Sequence, residues 1–217
     1  MQTRLTSQHE HVSFADEVAG AALLKGLGSG ANVQEIRKES IPMAETFAPS
    51  KYRVDPGSMA TAIGVLRQQF GERLQTGEAI RAQHANHLTW IPNMPPDAVV
   101  WVENQAEVSQ VVDVARTHRV PIIPFGAGTS LEGHINAPRG GLSMDFSRMN
   151  RIVAVNERDL DCVVEPGVSR KQLNDYLRDM GLFFPVDPGA EEASLGGMAA
   201  TRASGTAATK YGTMREN

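Results

Sequence analysis

The chain is poor in aromatic residues, in cysteine and in net charge, and each shortage removes a class of protein. Aromatics make up 6% of 217 residues, so a core has to be built from Val, Ile, Leu, Ala and Met. The single cysteine, Cys162, excludes a disulfide framework and any Cys-rich zinc or iron–sulfur site. Followed by Val163 and Val164, it reads as a small buried hydrophobe rather than a reactive thiol. No apolar run approaches the ~20 residues needed to cross a bilayer, so no transmembrane segment is expected. A formal charge of -4 lacks the basic excess of a nucleic-acid binder, and no nucleic-acid partner is expected. Met1 to Glu10 holds no basic segment leading into an apolar one, and Glu10, Asp16 and Glu17 are foreign to an organelle-targeting peptide. A cytoplasmic location is the expectation.

What is present is an ordinary globular balance, 41% hydrophobic and 21% charged. The chain divides into an N-terminal extension (1–50), a helical lead-in (51–94) and a domain (95–217). Phe14 to Lys25 is compatible with a helix ended by the glycines at 26, 28 and 30. Gly26 to Ala31 spells G-x-G-x-x-A, but no strand precedes it, so it reads as a helix stop or linker rather than a dinucleotide site. A second helix is predicted from Ser58 to Phe70, with Ile63, Leu66 and Phe70 on one face. His84 and His87 then lie three apart in a polar stretch, as a metal pair or as solvated or hydrogen-bonded side chains. Pro92, Pro95 and Pro96 mark the boundary, because proline fixes φ and removes a donor.

Beyond Pro96 the periodicity sharpens. Ala98 to Val102 reads as a strand, and Asn104-x-x-Glu107 as a capping box that opens a helix. Val108, Val111, Val112 and Ala115 recur at i, i+3, i+4 and i+7, one buried stripe. Val120 to Ile123 is the next strand, and strand–helix–strand implies a parallel pair. Further strands are predicted at Leu142–Phe146, Ile152–Val155 and Cys162–Glu165. Ser169-x-x-Gln172 opens another helix with Leu173, Tyr176, Leu177 and Met180 inward, and Gly181 ends it at positive φ. Phe183 to Pro185 reads as a further extended piece. The fold class is α+β, with one parallel crossover, several antiparallel strands and two helices after Pro96.

Two segments of small residues stand out. Pro124-Phe125-Gly126-Ala127-Gly128-Thr129-Ser130-Leu131-Glu132-Gly133-His134 follows a strand directly. It is either a tight turn or a nest of backbone N–H groups for phosphate oxygens. No Gly-Lys-Ser/Thr follows, so it is not a Walker A loop. The second segment, Asp187 to Gly205, is a Gly-rich surface loop or a backbone laid flat against a planar ligand. An elongated ligand, with a diphosphate at one end and a flat ring system at the other, would use both.

Pro124 to His134 resembles the pyrophosphate loop of the PCMH-type FAD-binding fold shared by vanillyl-alcohol oxidase and related flavoproteins. Pro95-Pro96-Asp97-Ala98-Val99-Val100, Val164-Glu165-Pro166-Gly167-Val168 and Phe184-Pro185-Val186-Asp187-Pro188-Gly189-Ala190 add to the likeness, as do Met198 to Thr206 and Tyr211 to Asn217. Within that superfamily the motifs are most like those of cytochrome-type D-lactate dehydrogenase and the FAD-binding subunit of glycolate oxidase. The likeness runs from about Gly71 to Asn217 and keeps motif order. It implies that Gly126, Ala127, Gly128, Thr129 and Ser130 hold the FAD diphosphate through backbone N–H groups. Gly133 and His134 would close the loop, with His134 either facing the flavin or bonding backbone carbonyls. Pro188, Gly189, Ser194, Gly197, Met198, Ser204 and Gly205 match the segment lining the isoalloxazine and ribityl chain, and Tyr211 and Gly212 the turn after it. Some relatives attach flavin through a histidine of the first loop. This chain has Thr129 there, so non-covalent FAD is implied.

For a complete enzyme the resemblance implies oxidation of a D-2-hydroxy acid such as D-lactate or glycolate. Electrons would leave to a cytochrome, quinone or other acceptor, at a cytoplasmic site or one peripheral to the inner membrane. The domain is expected to be incomplete at its C-terminus and inactive alone. A divalent metal would belong only to a further C-terminal portion. No catalytic residue and no metal ligand is assigned within this chain. Glu165 and Asp187 read as turn-shaping carboxylates. The alternatives are a D-2-hydroxyglutarate dehydrogenase and a non-catalytic flavin-binding remnant or scaffold subunit.

Overall fold

The computed structural model describes residues 53–217; the expected helix at 14–25 and the G-x-G-x-x-A run lie outside them. Helix α1, Pro56–Phe70, starts where Asp55 accepts a hydrogen bond from the Ser58 N–H at 2.8 Å, with proline in the first turn. It therefore begins before the predicted Ser58, because an aspartate N-cap and an N1 proline leave few orphan donors. A 3-10 turn, Gly71–Arg73, leads to the two-residue strand β1, Leu74–Gln75, and helix α2, Glu78–Gln83. Strand β2 is Ala98–Trp101, helix α3 Gln105–His118, strand β3 Ile122–Phe125 and strand β4 Leu142–Asp145. Strands β5 (Ile152–Asn156) and β6 (Asp161–Val164) form a hairpin, followed by helices α4 (Arg170–Leu177), α5 (Leu195–Ala200) and α6 (Ala208–Tyr211).

The main sheet has the order β1-β2-β4-β3, with β4 parallel to both of its neighbours and β1 antiparallel to β2. Thus β2 and β3 are parallel but not adjacent, contrary to the pairing expected from the crossover. The reason is chemical. Pro124 has no N–H to offer a second neighbour, so β3 belongs at an edge, whereas all four residues of β4 are buried and take the centre.

Alternation along the strands divides the sheet into two faces. Ala98, Val100, Leu142 and Met144 face α1 and α3, and pack with Leu66, Phe70, Val111 and Ala115 in the larger core cluster. The stripe on α3 is Val108, Val111, Val114 and Ala115 rather than the predicted set, since Val112 is 42% exposed. The second cluster joins Val168, Leu173, Leu177, Val186, Leu195 and Met198, with Ile152, Val155, Cys162 and Val164 of the hairpin against it. Cys162 is half-buried rather than buried; burial, then the neighbouring Asp161, pushes its thiol up, which keeps it protonated. Tyr176 points outward at 50% exposure, so α4 buries Leu173 and Leu177, while Met180, in the 3-10 turn that follows, packs partly buried against the same cluster.

Both capping boxes form only in part. Asn104 and Ser169 accept from the N–H groups of Glu107 (3.0 Å) and Gln172 (3.1 Å). The return contacts go elsewhere: Glu107 takes the Glu103 N–H, and Gln172 donates to the Asn150 carbonyl. Glu107 also accepts two bonds from Arg73, at 2.6 and 2.8 Å, and these hold its carboxyl below its usual range. A carboxylate with a depressed pKa stabilises the fold above its unfolded pKa, and the contribution is lost as pH falls through the folded value. Arg73→Met is expected to cost about 1–2 kcal/mol at neutral pH. Melts recorded from neutral to acid pH should show that difference shrinking as Glu107 is protonated.

Candidate functional site

The C-terminal edge of β3 and β4 carries the first small-residue segment. No backbone N–H from Gly126 to Ser130 donates to another of the described residues. The loop thus offers a row of donors, shaped by Gly128 at φ 66° and Gly133 at φ 73°. Ala127 and Thr129 are exposed, while Gly126, Gly128, Ser130 and Gly133 are half-buried. Ser130 donates its hydroxyl to Glu132 and accepts from His134 Nδ1 at 2.8 Å. His134 Nδ1 therefore meets a side-chain hydroxyl, and its ring is 53% exposed. Glu132 puts a negative charge inside a donor-rich loop. The Ser130 hydroxyl first, then its own N–H and His134, hold that carboxyl below its usual range, which keeps it ionised.

The second segment is not a loop throughout. Ser194 to Ala200 forms the N-cap and body of α5, with the Ser194 hydroxyl accepting from the Gly197 N–H at 3.3 Å. Met198 is 2% exposed in the second core cluster, so its side chain packs inward and does not line a ligand surface. Ser194 is where the two segments meet. A Cβ built on Gly126 would overlap the Ser194 hydroxyl, and Ser194 itself is bridged to Ser169.

The remaining candidates gather around Asp187. The Gly189 N–H donates to Asp187 Oδ1 at 3.3 Å, and the Thr206 hydroxyl reaches Oδ2 at 3.4 Å. Gly205 packs so closely on the Asp187 carbonyl that a Cβ would collide with it. Pro188 is half-buried and Ser204 exposed beside them. Asp187 also pairs with Arg170 at 3.5 Å, in keeping with a turn-shaping role. Tyr211 ends α6 and stacks edge-on against Phe183, ring centroids 5.6 Å apart, with Gly212 following at φ 85°. Glu165 bridges the hairpin by accepting from the Arg151 N–H at 2.8 Å and from its guanidinium.

Beneath the first loop lies a polar layer that motif reading did not assemble. His84 bonds the Ile80 carbonyl through Nδ1 (2.8 Å) and Asp145 through Nε2 (2.9 Å). Asn136 accepts from the Met94 N–H and donates to His87 Nε2, both at 2.7 Å. The two histidines thus serve separate partners, and among the described residues no group of three His, Cys, Asp or Glu side chains converges as a metal site. Asp145 was missed because it lies at the end of a strand, with no motif around it.

A loop of free N–H groups and hydroxyls, whose glycines bring the backbone within reach, suits the oxygens of a diphosphate. Residues 96–217 match the FAD binding domain family. The chain is 51% identical over 146 residues to a probable mitochondrial D-lactate dehydrogenase of Danio rerio, covering 67% of this chain and 29% of the relative. It is 37% identical over 122 residues to the glycolate oxidase subunit GlcD of Bacillus subtilis, covering 56% of this chain and 26% of the relative. Among solved structures, alkyldihydroxyacetonephosphate synthase superposes with a TM-score of 0.66 at 26% identity, over 72% of this chain and 32% of the synthase. The chain therefore spans less than a third of the length of these relatives. No helix among the described residues is long and apolar enough to cross a membrane.

Proposed function

The chain belongs to the FAD binding domain family, and from that premise we propose that it forms the diphosphate-holding part of a flavin-dependent D-2-hydroxy acid dehydrogenase of the D-lactate or glycolate type. The observation that carries this reading is the run of unpaired N–H groups from Gly126 to Ser130, abutting α5 at Ser194. Bound FAD supplies the acceptor for the hydride that leaves the substrate α-carbon. The chain's own part is to bind and orient. Gly126, Ala127, Gly128, Thr129 and Ser130 donate to phosphate oxygens, and Gly133 and His134 close the loop. Ser194 and Gly197 at the start of α5, together with Pro188, Gly189, Ser204, Gly205, Tyr211 and Gly212, flank the ring system and its ribityl chain. Met198 supports that surface from the core.

Attachment is non-covalent in this reading, since Thr129 offers no imidazole to the flavin. The substrate clamp, the base, a divalent metal and the docking site for a cytochrome, quinone or other acceptor belong to parts of the enzyme outside this chain. The likeness to a glycolate oxidase subunit keeps glycolate beside D-lactate as substrate, and D-2-hydroxyglutarate is the alternative of the same chemistry. The cytoplasmic location read from the sequence is kept as a proposal. A mitochondrial one, the compartment in the name of the Danio rerio relative, is the alternative that cell fractionation decides.

The test is flavin retention: the chain is purified with FAD, desalted and denatured, and the supernatant assayed. Flavin released in equimolar amount is the expected result. Flavin left on the precipitate would overturn the non-covalent reading, and none on a chain that circular dichroism shows to be folded would overturn FAD binding itself.

A further inference from the structure

We propose that Glu132 is an internal competitor for the anion site: its carboxylate holds the Ser130 end of the loop in the free protein, and a diphosphate binds by displacing it.

A count of protons carries the inference. A serine hydroxyl has a single hydrogen to donate. That of Ser130 goes to Glu132, while its oxygen accepts from His134 Nδ1 at 2.8 Å. The hydroxyl is therefore spent. A phosphate oxygen, which accepts, finds no donor in it until Glu132 leaves. His134 Nδ1 also lies 3.8 Å from the Glu132 carboxylate, so the three side chains close on one another. The Ser130 hydroxyl first, then the N–H of Glu132 itself, His134 and the N–H of Leu131 favour the charged carboxylate. Donors converging on one anion are what the loop also offers a ligand, from Gly126 to Ser130. Glu132 thus occupies one end of the array that the diphosphate needs.

Charge points the same way. From Pro124 to His134 there is no Lys or Arg, and Glu132 is the one carboxylate. An incoming diphosphate meets that negative charge with no Lys or Arg of the loop to offset it, and like charges at such range repel even across water. The side chain has somewhere to go, being 70% exposed. The backbone beside it does not. The Gly133 carbonyl accepts from the Asn136 N–H at 3.1 Å, and a Cβ built on Gly133 would stand 3.0 Å from Ile91 Cδ1. Rotation of the Glu132 side chain into solvent therefore releases the Ser130 hydroxyl while the loop backbone stays in place.

The inference rests on the loop being an anion site, and only its flavin side rests on the FAD reading, so two probes are used. Inorganic pyrophosphate and FAD are titrated by calorimetry into the full chain as wild type, Glu132→Ala and Glu132→Gln. Glu157→Gln, in the exposed turn between β5 and β6, removes the same charge elsewhere. Glu132→Ala is expected to bind both probes about tenfold more tightly at neutral pH. Glu132→Gln, which keeps an acceptor for Ser130, should gain less, and Glu157→Gln should stay within about twofold of wild type. In wild type the NMR signal of the Glu132 carboxyl carbon should move along the pyrophosphate saturation curve. Unchanged, weaker or absent pyrophosphate binding in Glu132→Ala would overturn the competition. An equal gain in Glu157→Gln, or a Glu132 signal indifferent to pyrophosphate, would do the same. Tighter pyrophosphate binding by Glu132→Ala, with FAD bound by no protein, would leave the competition standing and remove the FAD reading. FAD bound by every protein with equal affinity would do the reverse. Should either Glu132 variant fail to fold, the other decides.

Discussion

Gly126→Val is expected to weaken FAD binding by about a hundredfold, at the upper end of what overpacking costs, while the fold survives. A Cβ at position 126 would overlap the Ser194 hydroxyl, and Ser194 is fixed as the N-cap of α5 and by its bridge to Ser169. The loop has to yield, which swings its N–H groups away from a common centre. A branched side chain would also stand between those groups and any ligand. Fluorescence titration with FAD checks the affinity, and a melt within a few degrees of wild type shows that the effect is local. Retained affinity would mean that the contact between loop and α5 is no part of the site.

For stability the largest single loss is expected at Gly141. Its φ of 128° is one that side chains rarely adopt, and a Cβ there would collide with the Pro121 carbonyl. Its N–H and C=O are both in use, on the Asp97 carboxylate and the Asp97 N–H, each at 2.8 Å. The backbone therefore has little freedom to relax. Adding backbone strain to overpacking, Gly141→Ala should cost about 4 kcal/mol, which corresponds to a melting temperature lower by roughly 10 °C. Thermal and urea unfolding of the variant measure it. A loss under about 1 kcal/mol would show that the start of β4 adapts more readily than its contacts imply.

What was legible in the sequence was local chemistry. Asn104 and Ser169 announce α3 and α4 because an N-cap is a short-range event, and Gly181 does end its helical segment at φ 70°. Strand order was not legible, because nothing near Leu142 states which partners it will find. Pro124 held the hint that β3 is an edge. Helix α5 was hidden by its composition: Gly196 and Gly197 are poor helix formers. Burial of Leu195 and Met198, three apart on one face, overrides that preference. In the site, the loop was visible because glycines and hydroxyls cluster in the chain. Its support was not. Strict alternation assigns Ser143 and Asp145 to a solvated face, yet they are 0% and 4% exposed. His84 and His87 lie three apart in sequence but reach separate partners.

The non-sequential order of the main sheet has a consequence for synthesis. On the ribosome, β2, α3 and β3 emerge before β4, although β4 must lie between β2 and β3. The segment Gly126 to Gly141 has to be translated first, a delay on the order of a second at ~5–20 residues per second. Throughout that interval the nascent chain presents two inner strand edges with no partner, the state most exposed to wrong pairing. Parallel insertion between strands already made is also slow, because the closure cost comes before any contact repays it. The loop read as the cofactor cradle is thus also the tether that delivers the last strand. Its length and glycine content answer to nascent-chain folding as well as to ligand shape.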